Sequence, residues 1–442
     1  MSGLWSRAAT VAAQTPASRN RYVDFLRALS IGAVVIGHWI VAAPYAGGGE
    51  ITLSNVLEYQ PWTRWLTWVF QVMPIFFLVG GYSNGVSWRS ASDKGKSYAE
   101  WLEARLRRLL GPVLALLAVW VLLGVGMGLG GTEATLVGGL SQMALIPIWF
   151  LAVYILVVLV VPLTYAAWRR YGLLSFWVLV AAAILDDVLF LAADLTVVGW
   201  ANYAFIWVAV HQLGYAWRDG YTAGLRRGAA WAALGGAALV AMVTLGPYPV
   251  SMVSVPGDEI SNSLPPKLPM LALALVHTGL LLSIEGPMRR WLDRAVPWTA
   301  TVLVNGMIMT VFLWHLTAAT LVVGAAFLLG DAGLGVDPGN RRMVGRPAAV
   351  ARGLRGGAGP VRARLRALRA QRGRGAHSSG LAARRGRGRG LCRAGAARPR
   401  GRRGGRRRPA RSQAVGAGAP LRRRRAGRRE PAGGRPRRVR MS

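Results

Sequence analysis

The sequence predicts an all-α fold, a polytopic transmembrane helix bundle of about nine spans followed by a disordered Arg-rich tail. Three observations carry that expectation. Apolar stretches of about 18–25 residues recur along residues 21–330, each long enough to cross a hydrocarbon core of roughly 30 Å. Basic residues gather in alternate connections between those stretches. The composition then changes abruptly near residue 331. The chain of 442 residues is 53% hydrophobic and 16% charged, yet holds 54 Lys+Arg against 18 Asp+Glu. Residues 341–442 account for the excess, with 34 Arg, no Lys and one acid, Glu430, whereas residues 1–340 are close to charge balance. Such an apolar body excludes a soluble globular enzyme, and the tail needs its own reading.

Residues 1–20 are rich in Ala, Ser and Thr, with scattered Arg. No small-residue cleavage site follows the first apolar run, which reads as a retained anchor. Spans are expected near 22–43, 65–85, 109–129, 146–166, 173–191, 199–217, 228–246, 268–285 and 300–329. With the N-terminus in the cytoplasm, the inner connections collect 18 of the body's 20 positive residues, and the outer ones keep only Arg64 and Lys267. That asymmetry predicts a multi-pass protein of the plasma or inner membrane with a cytoplasmic N-terminus. Trp62, Trp65, Trp168, Tyr171, Trp217, Trp291 and Trp298 fall near span ends, as interfacial anchors do. No repeat of 20–50 residues stands out, which argues against transporters built from internal repeats. The single cysteine, Cys392, lies in the tail, so the body has neither a disulfide framework nor a cysteine metal site.

An ionisable group inside a span is costly and is a functional candidate by default. The first span contains Asp24, Arg27 and His38. At about 100° per residue, the steps from Arg27 to His38 return to nearly the same helix face while climbing roughly 16 Å. Asp24, one turn below Arg27, can pair with it and lower the cost of both charges. Gly32 and Gly37 leave room for a ligand or a neighbouring helix. Arg105 and Arg108, three apart at the mouth of the third span, fit a phosphate-binding pair of guanidinium forks or a plain topogenic basic loop. His211, His277 and His315 each read first as packing histidines, and their spacing matches no metal signature. Asp186, Asp187, Asn202, Gln212 and Asn305 are candidates for lining a water-filled cavity.

These residues together resemble the acyltransferase 3 family of integral membrane O-acyltransferases. Asp24, Arg27 and His38 fit its first span, and Arg105-Leu-Arg-Arg108 fits its Arg-x-x-Arg motif. Phe76-Phe-Leu-Val-Gly80-Gly81-Tyr resembles its Phe-Phe-x-x-Ser-Gly-Phe stretch, with Gly80 in place of the usual Ser. Ile148-Trp149-Phe150-Leu151 resembles its Leu-Trp-Phe-Leu segment without the preceding His, and Phe312-Leu-Trp-His315-Leu its late Tyr-x-x-His stretch. The resemblance covers roughly residues 20–330. It implies about ten spans and transfer of an acetyl or other short acyl group from acyl-CoA to a hydroxyl of a glycan or lipid-linked acceptor. It also implies His38 as catalytic base or transient acyl carrier, supported by Arg27 and Asp24, and Arg105 with Arg108 on the donor phosphates. His211, His315 and Trp149 are the expected acceptor-side residues. Acetyl-CoA enters as a donor substrate, and no permanently bound cofactor or metal is expected.

The expected organisation is an N-terminal segment 1–20, a membrane domain 21–330 and a tail 331–442. Residues 341–442 lack Asp, Asn, Lys, Ile, Thr, Phe, Tyr and Trp, so nothing there can bury a core. An Arg/Gly-rich nucleic-acid or anionic-lipid arm is one reading. Out-of-frame translation of a GC-rich gene is the favoured one, and no nucleic-acid partner is then expected. With suitable synonymous codons, Met343–Val350 read one nucleotide later spells Trp-Trp-Ala-Ala-Arg-Pro-Leu-Trp, similar to the entry of the family's last span. A non-catalytic transporter of a lipid-linked or acylated substrate is the alternative for the body. It predicts flux without covalent change, whereas the enzyme predicts CoA release dependent on His38.

Overall fold

The computed structural model describes residues 2–328 apart from 48–49, 132–133 and 223, so every reading of the 331–442 tail, Cys392 included, lies outside the described residues. The N-terminal segment forms α1 (Ser2–Ala13). Asn20 then accepts the Tyr22 amide as N-cap of α2 (Arg21–Val41), and Asp24 sits in its first turn, where the helix dipole favours an acid. The chain leaves α2 as an antiparallel hairpin, β1 (Ala42–Gly47) and β2 (Glu50–Asn55), paired from Ala42↔Asn55 to Gly47↔Glu50. Short turns follow, α3 (Val56–Tyr59), a 3₁₀ turn over Pro61–Leu66 and α4 (Thr67–Phe70), before α5 (Met73–Asp93) begins with Pro74 in its first turn.

Ser97 and Glu100 form a reciprocal capping box at the start of α6 (Tyr98–Leu129), so the Arg105–Arg108 motif belongs to the helix itself. α7 (Ala134–Leu159) gives way to α8 (Val161–Tyr171) at Pro162, which lacks the amide needed to continue the ladder. The span expected over 146–166 therefore straddles a helix break and begins earlier, on α7. α9 (Leu173–Ala192), α10 (Asn202–Arg218), α11 (Leu225–Leu245), α12 (Leu268–Ser283), α13 (Glu285–Leu292) and α14 (Ala295–Leu328) complete the bundle. Among the described residues, seven helices are long and apolar enough to cross a membrane. An eighth crossing results if α12 and α13, bent by 54° at their junction, are taken together. The stretch expected over 199–217 becomes α10, which is only 17 residues long and almost wholly buried. Its enclosure, rather than contact with lipid, explains its apolar reading.

Lipid is as apolar as leucine, so close packing rather than escape from water joins membrane helices. The α5–α10 seam shows this. A Cβ on Gly81 would lie 1.8 Å from the His211 carbonyl oxygen, and one on Gly214 would lie 2.2 Å from that of Leu78, so only glycines allow these backbones to meet. Phe77 and Trp207 stack across the same seam with centroids 4.6 Å apart. A second cluster, of Ile31, Val113, Leu116, Trp120 and Phe312, joins α2, α6 and α14.

Asp24 and the helix ends near it mark the basic end of the bundle, and the hairpin marks the other. At the hairpin end, Asp187 does not face the expected water-filled cavity. It is buried and accepts hydrogen bonds from Asn202 at 2.9 Å, the Tyr248 hydroxyl at 2.9 Å and the Leu268 amide at 2.8 Å, with the Lys267 ammonium 3.7 Å away. Lys267, expected in an outer loop, is 1% exposed and lies over the Phe190 ring. Burying both charges together lets each offset part of the other's desolvation. The 246–267 connection is further stitched to the turns before α5, where Trp68 donates to the Val250 carbonyl and Gln71 to that of Met252.

Candidate functional site

Two polar clusters lie on the α2 face identified from the Arg27–His38 spacing. At the basic end, Asp24 is buried and accepts from Arg19 through two nitrogens, at 2.6 and 3.1 Å, and from Arg27 at 3.1 Å. The hydrogen bond to Asp24 raises the Arg19 guanidinium above its ordinary range. Asn305 of α14 donates to the Asp24 carbonyl at 2.9 Å, locking the start of α2 against the last helix. Arg27 also donates to the Ser83 hydroxyl at 3.0 Å, and Arg105 donates to the Ser87 hydroxyl and, at 3.5 Å, to the Ser83 carbonyl. Ser83 and Ser87 are one turn apart on α5, so that helix gathers a guanidinium from α2 and another from α6. Arg108 is exposed and does not join them. Arg107 instead pairs with Glu103 at 2.6 Å.

Toward the hairpin end, the Nδ1 of His38 lies 3.1 Å from the Nε2 of His315, with ring centroids 5.1 Å apart. The hydrogen-bond chemistry fixes the tautomers. The Phe312 carbonyl, 2.6 Å from the Nδ1 of His315, can only accept, so that nitrogen carries the proton. In a neutral ring, the Nε2 of His315 is then an acceptor, and His38 donates to it through Nδ1. The basic nitrogen of His38 is therefore Nε2. His315 is buried, held by its own helix below and by Trp39, whose indole donates to the His315 carbonyl at 3.3 Å, above. His38 is half-buried and lies in the last turn of α2, one turn before the hairpin, rather than deep in the span.

Between the clusters, Phe76, Phe150 and Phe312 pack with centroids 5.2–6.4 Å apart. Tyr154 lies beside Phe150 and within electrostatic range of Arg105. Its ring accounts for Gly80. A Cβ there would approach the Tyr154 ring to 2.8 Å and its hydroxyl oxygen to 3.2 Å, so the tyrosine fills the space that a serine side chain would take.

The other sequence candidates lie elsewhere. His211 is fully buried against α5, with Nε2 3.1 Å from the Asn84 amide nitrogen, which also donates to Tyr154 at 3.3 Å. Trp149 packs edge-on against Tyr203, 6.1 Å between centroids. His277 meets the Trp68 carbonyl at 2.9 Å. Sequence reasoning missed Arg19, Ser83 and Ser87. The i, i+4 spacing of the two serines on a helix was the signal that could have found them. Among the described residues, no group of three His, Cys, Asp or Glu side chains is placed to hold a metal ion.

A family model described as an acyltransferase domain matches residues 20–336, well over half of the chain. No curated protein and no solved structure matches it.

Proposed function

The chain belongs to the acyltransferase 3 family, and from that premise we propose that it transfers an acyl group, acetyl in the simplest case, from acyl-CoA to a hydroxyl of an extracytoplasmic glycan or related acceptor. It is a multi-pass membrane protein. In this reading it sits in the plasma or inner membrane with the basic end toward the cytoplasm, the orientation that the charge asymmetry supports. The donor then enters from the basic end, where Arg27 and Arg105 converge on α5 and Arg108 stands exposed to meet phosphate oxygens. The arm of the donor spans the ~16 Å rise from Arg27 to His38.

The observation that carries the reading is the His38–His315 pair at 3.1 Å, with the proton on the Nδ1 of His315 fixed by the Phe312 carbonyl. The acceptor hydroxyl gives its proton to the Nε2 of His38 as its oxygen attacks the thioester carbonyl. The carbon–sulfur bond breaks, and the departing thiolate takes the proton back from the imidazolium, releasing CoA and the ester. His315 accepts from the Nδ1–H of His38 throughout, holding the ring's orientation and supporting the imidazolium, the role a carboxylate has in a catalytic triad. The test supplies radiolabelled acetyl-CoA to membranes carrying the wild type or His38→Ala. Label transfer lost in a variant that inserts normally supports the assignment, and undiminished transfer overturns it.

A further inference from the structure

Beside the arginine cluster, at the same basic end, is a cleft of about 550 Å³ formed by α5, α10, α12 and α13, within the roughly 300–1,000 Å³ of small-molecule sites. Its walls combine three kinds of surface. Tyr82 offers a half-buried ring backed by buried Trp217, 4.6 Å away between centroids. Leu282 and Pro287 also line the cleft and are apolar. Arg218 and Arg289 supply the charge.

The two cations are not equivalent. Arg218 is 9% exposed and tied to Asp219 at 2.7 Å and to the Tyr165 hydroxyl at 2.9 Å. Arg289 is half exposed and only 3.6 Å from Glu285, whose carboxylate is also engaged by the Trp217 indole at 2.8 Å. Arg289 holds one long ion pair and is otherwise open to solvent, so its guanidinium can also meet an incoming anion. Arg226 and Arg227 follow Leu225 of the lining, and Arg290 follows Arg289, so the surroundings are positive. Ser283 donates to the Gly279 carbonyl, leaving its oxygen able to accept from a base amino group. Tyr82 is the residue before Ser83, the serine that Arg27 binds, and Asn20, at the cap of α2, donates to the Tyr82 hydroxyl at 3.2 Å.

A flat ring, apolar neighbours, a hydroxyl acceptor and a solvent-open guanidinium match a purine ribonucleotide carrying a phosphate. We propose that this cleft seats the adenosine 3′-phosphate end of the CoA donor, with Arg289 on the 3′-phosphate and Tyr82 against the base. The diphosphate then leads past Ser83 to Arg27 and Arg105. This rests on the acyl-CoA reading above and adds a second anchor that the Arg-x-x-Arg motif does not provide.

The test uses the full chain in phosphatidylcholine nanodiscs, which present no net anionic headgroup, with CoA, 3′-dephospho-CoA and adenosine 3′,5′-bisphosphate as probes. Wild type is expected to bind CoA about tenfold more tightly than 3′-dephospho-CoA, with adenosine 3′,5′-bisphosphate competing. Arg289→Gln is expected to lose that preference and Tyr82→Leu to weaken both. Preference and affinity unchanged in both variants would overturn the proposal while leaving the acyl-CoA reading intact. No CoA binding by wild type would overturn the donor reading itself. A wild-type measurement guards against misfolded variants: 8-azido-CoA is expected to label peptides containing Tyr82 or residues 217–225, and labelling confined to α6 would refute the cleft.

Discussion

His38 and His211 each meet one nitrogen-bearing partner across a helix seam, at 3.1 Å in both cases, yet their surroundings differ. His211 is closed in by the glycine contact of α5 and α10. Its Nε2 accepts from Asn84, and among the described residues its Nδ1 has no partner. His38 also spends one nitrogen on a partner, but stands half-buried at the last turn of its helix with the other as its basic nitrogen. The two imidazoles thus share a contact length and differ in how fully the surrounding helices enclose them.

The largest expected effect lies on the His38–His315 pair. His38→Ala should lower acyl transfer by about 10²–10⁴-fold, the usual contribution of a positioned general base, without altering helicity by circular dichroism. Retained activity would erase the distinction between the pairs. His315→Gln should lose roughly 10-fold or more in kcat with little change in KM for acyl-CoA, because in the proposed mechanism it acts through His38 rather than on the donor. A change confined to KM would move His315 to the substrate.

The closed pair should respond in stability instead. His211→Leu strands the Asn84 amide and should cost about 1–3 kcal/mol, read as a lower thermal midpoint in detergent, with transfer retained below that temperature. A loss of transfer in a folded His211→Leu protein would make the second pair functional too. Tyr154→Phe, which removes only the hydroxyl that Asn84 donates to, should cost roughly 0.5–1.5 kcal/mol in the same measurement and sets the floor of the series.

Much of this contrast could be read in advance on one helix and little of it between helices. The 100° arithmetic placed Arg27 and His38 on one face because both lie on α2, and helical spacing is local. His315 is 277 positions from His38, and nothing short of the assembled bundle says that α14 lies beside α2 rather than elsewhere. The same limit explains Arg105 and Arg108. Three residues leave about 60° between them, enough at a half-buried helix face for one to turn inward and the other outward. Asp187 and Lys267 looked like solvent-facing groups because each is costly alone. Their meeting through the 246–267 connection is what removes the cost. The apolar stretches themselves were legible throughout, since hydropathy needs no tertiary partner. The breaks within them, at Pro162 and between α12 and α13, were the harder part.

The hairpin has a consequence for control of the His38–His315 pair from a distance. Its first residue, Ala42, caps the His38 carbonyl with its own amide, so the hairpin and the His38 backbone share one corner of the fold. A nanobody gripping the strands is expected to act as a handle on that corner and to tilt the imidazole away from its partner. Inhibition by such a reagent would be indifferent to donor concentration, which separates leverage from competition.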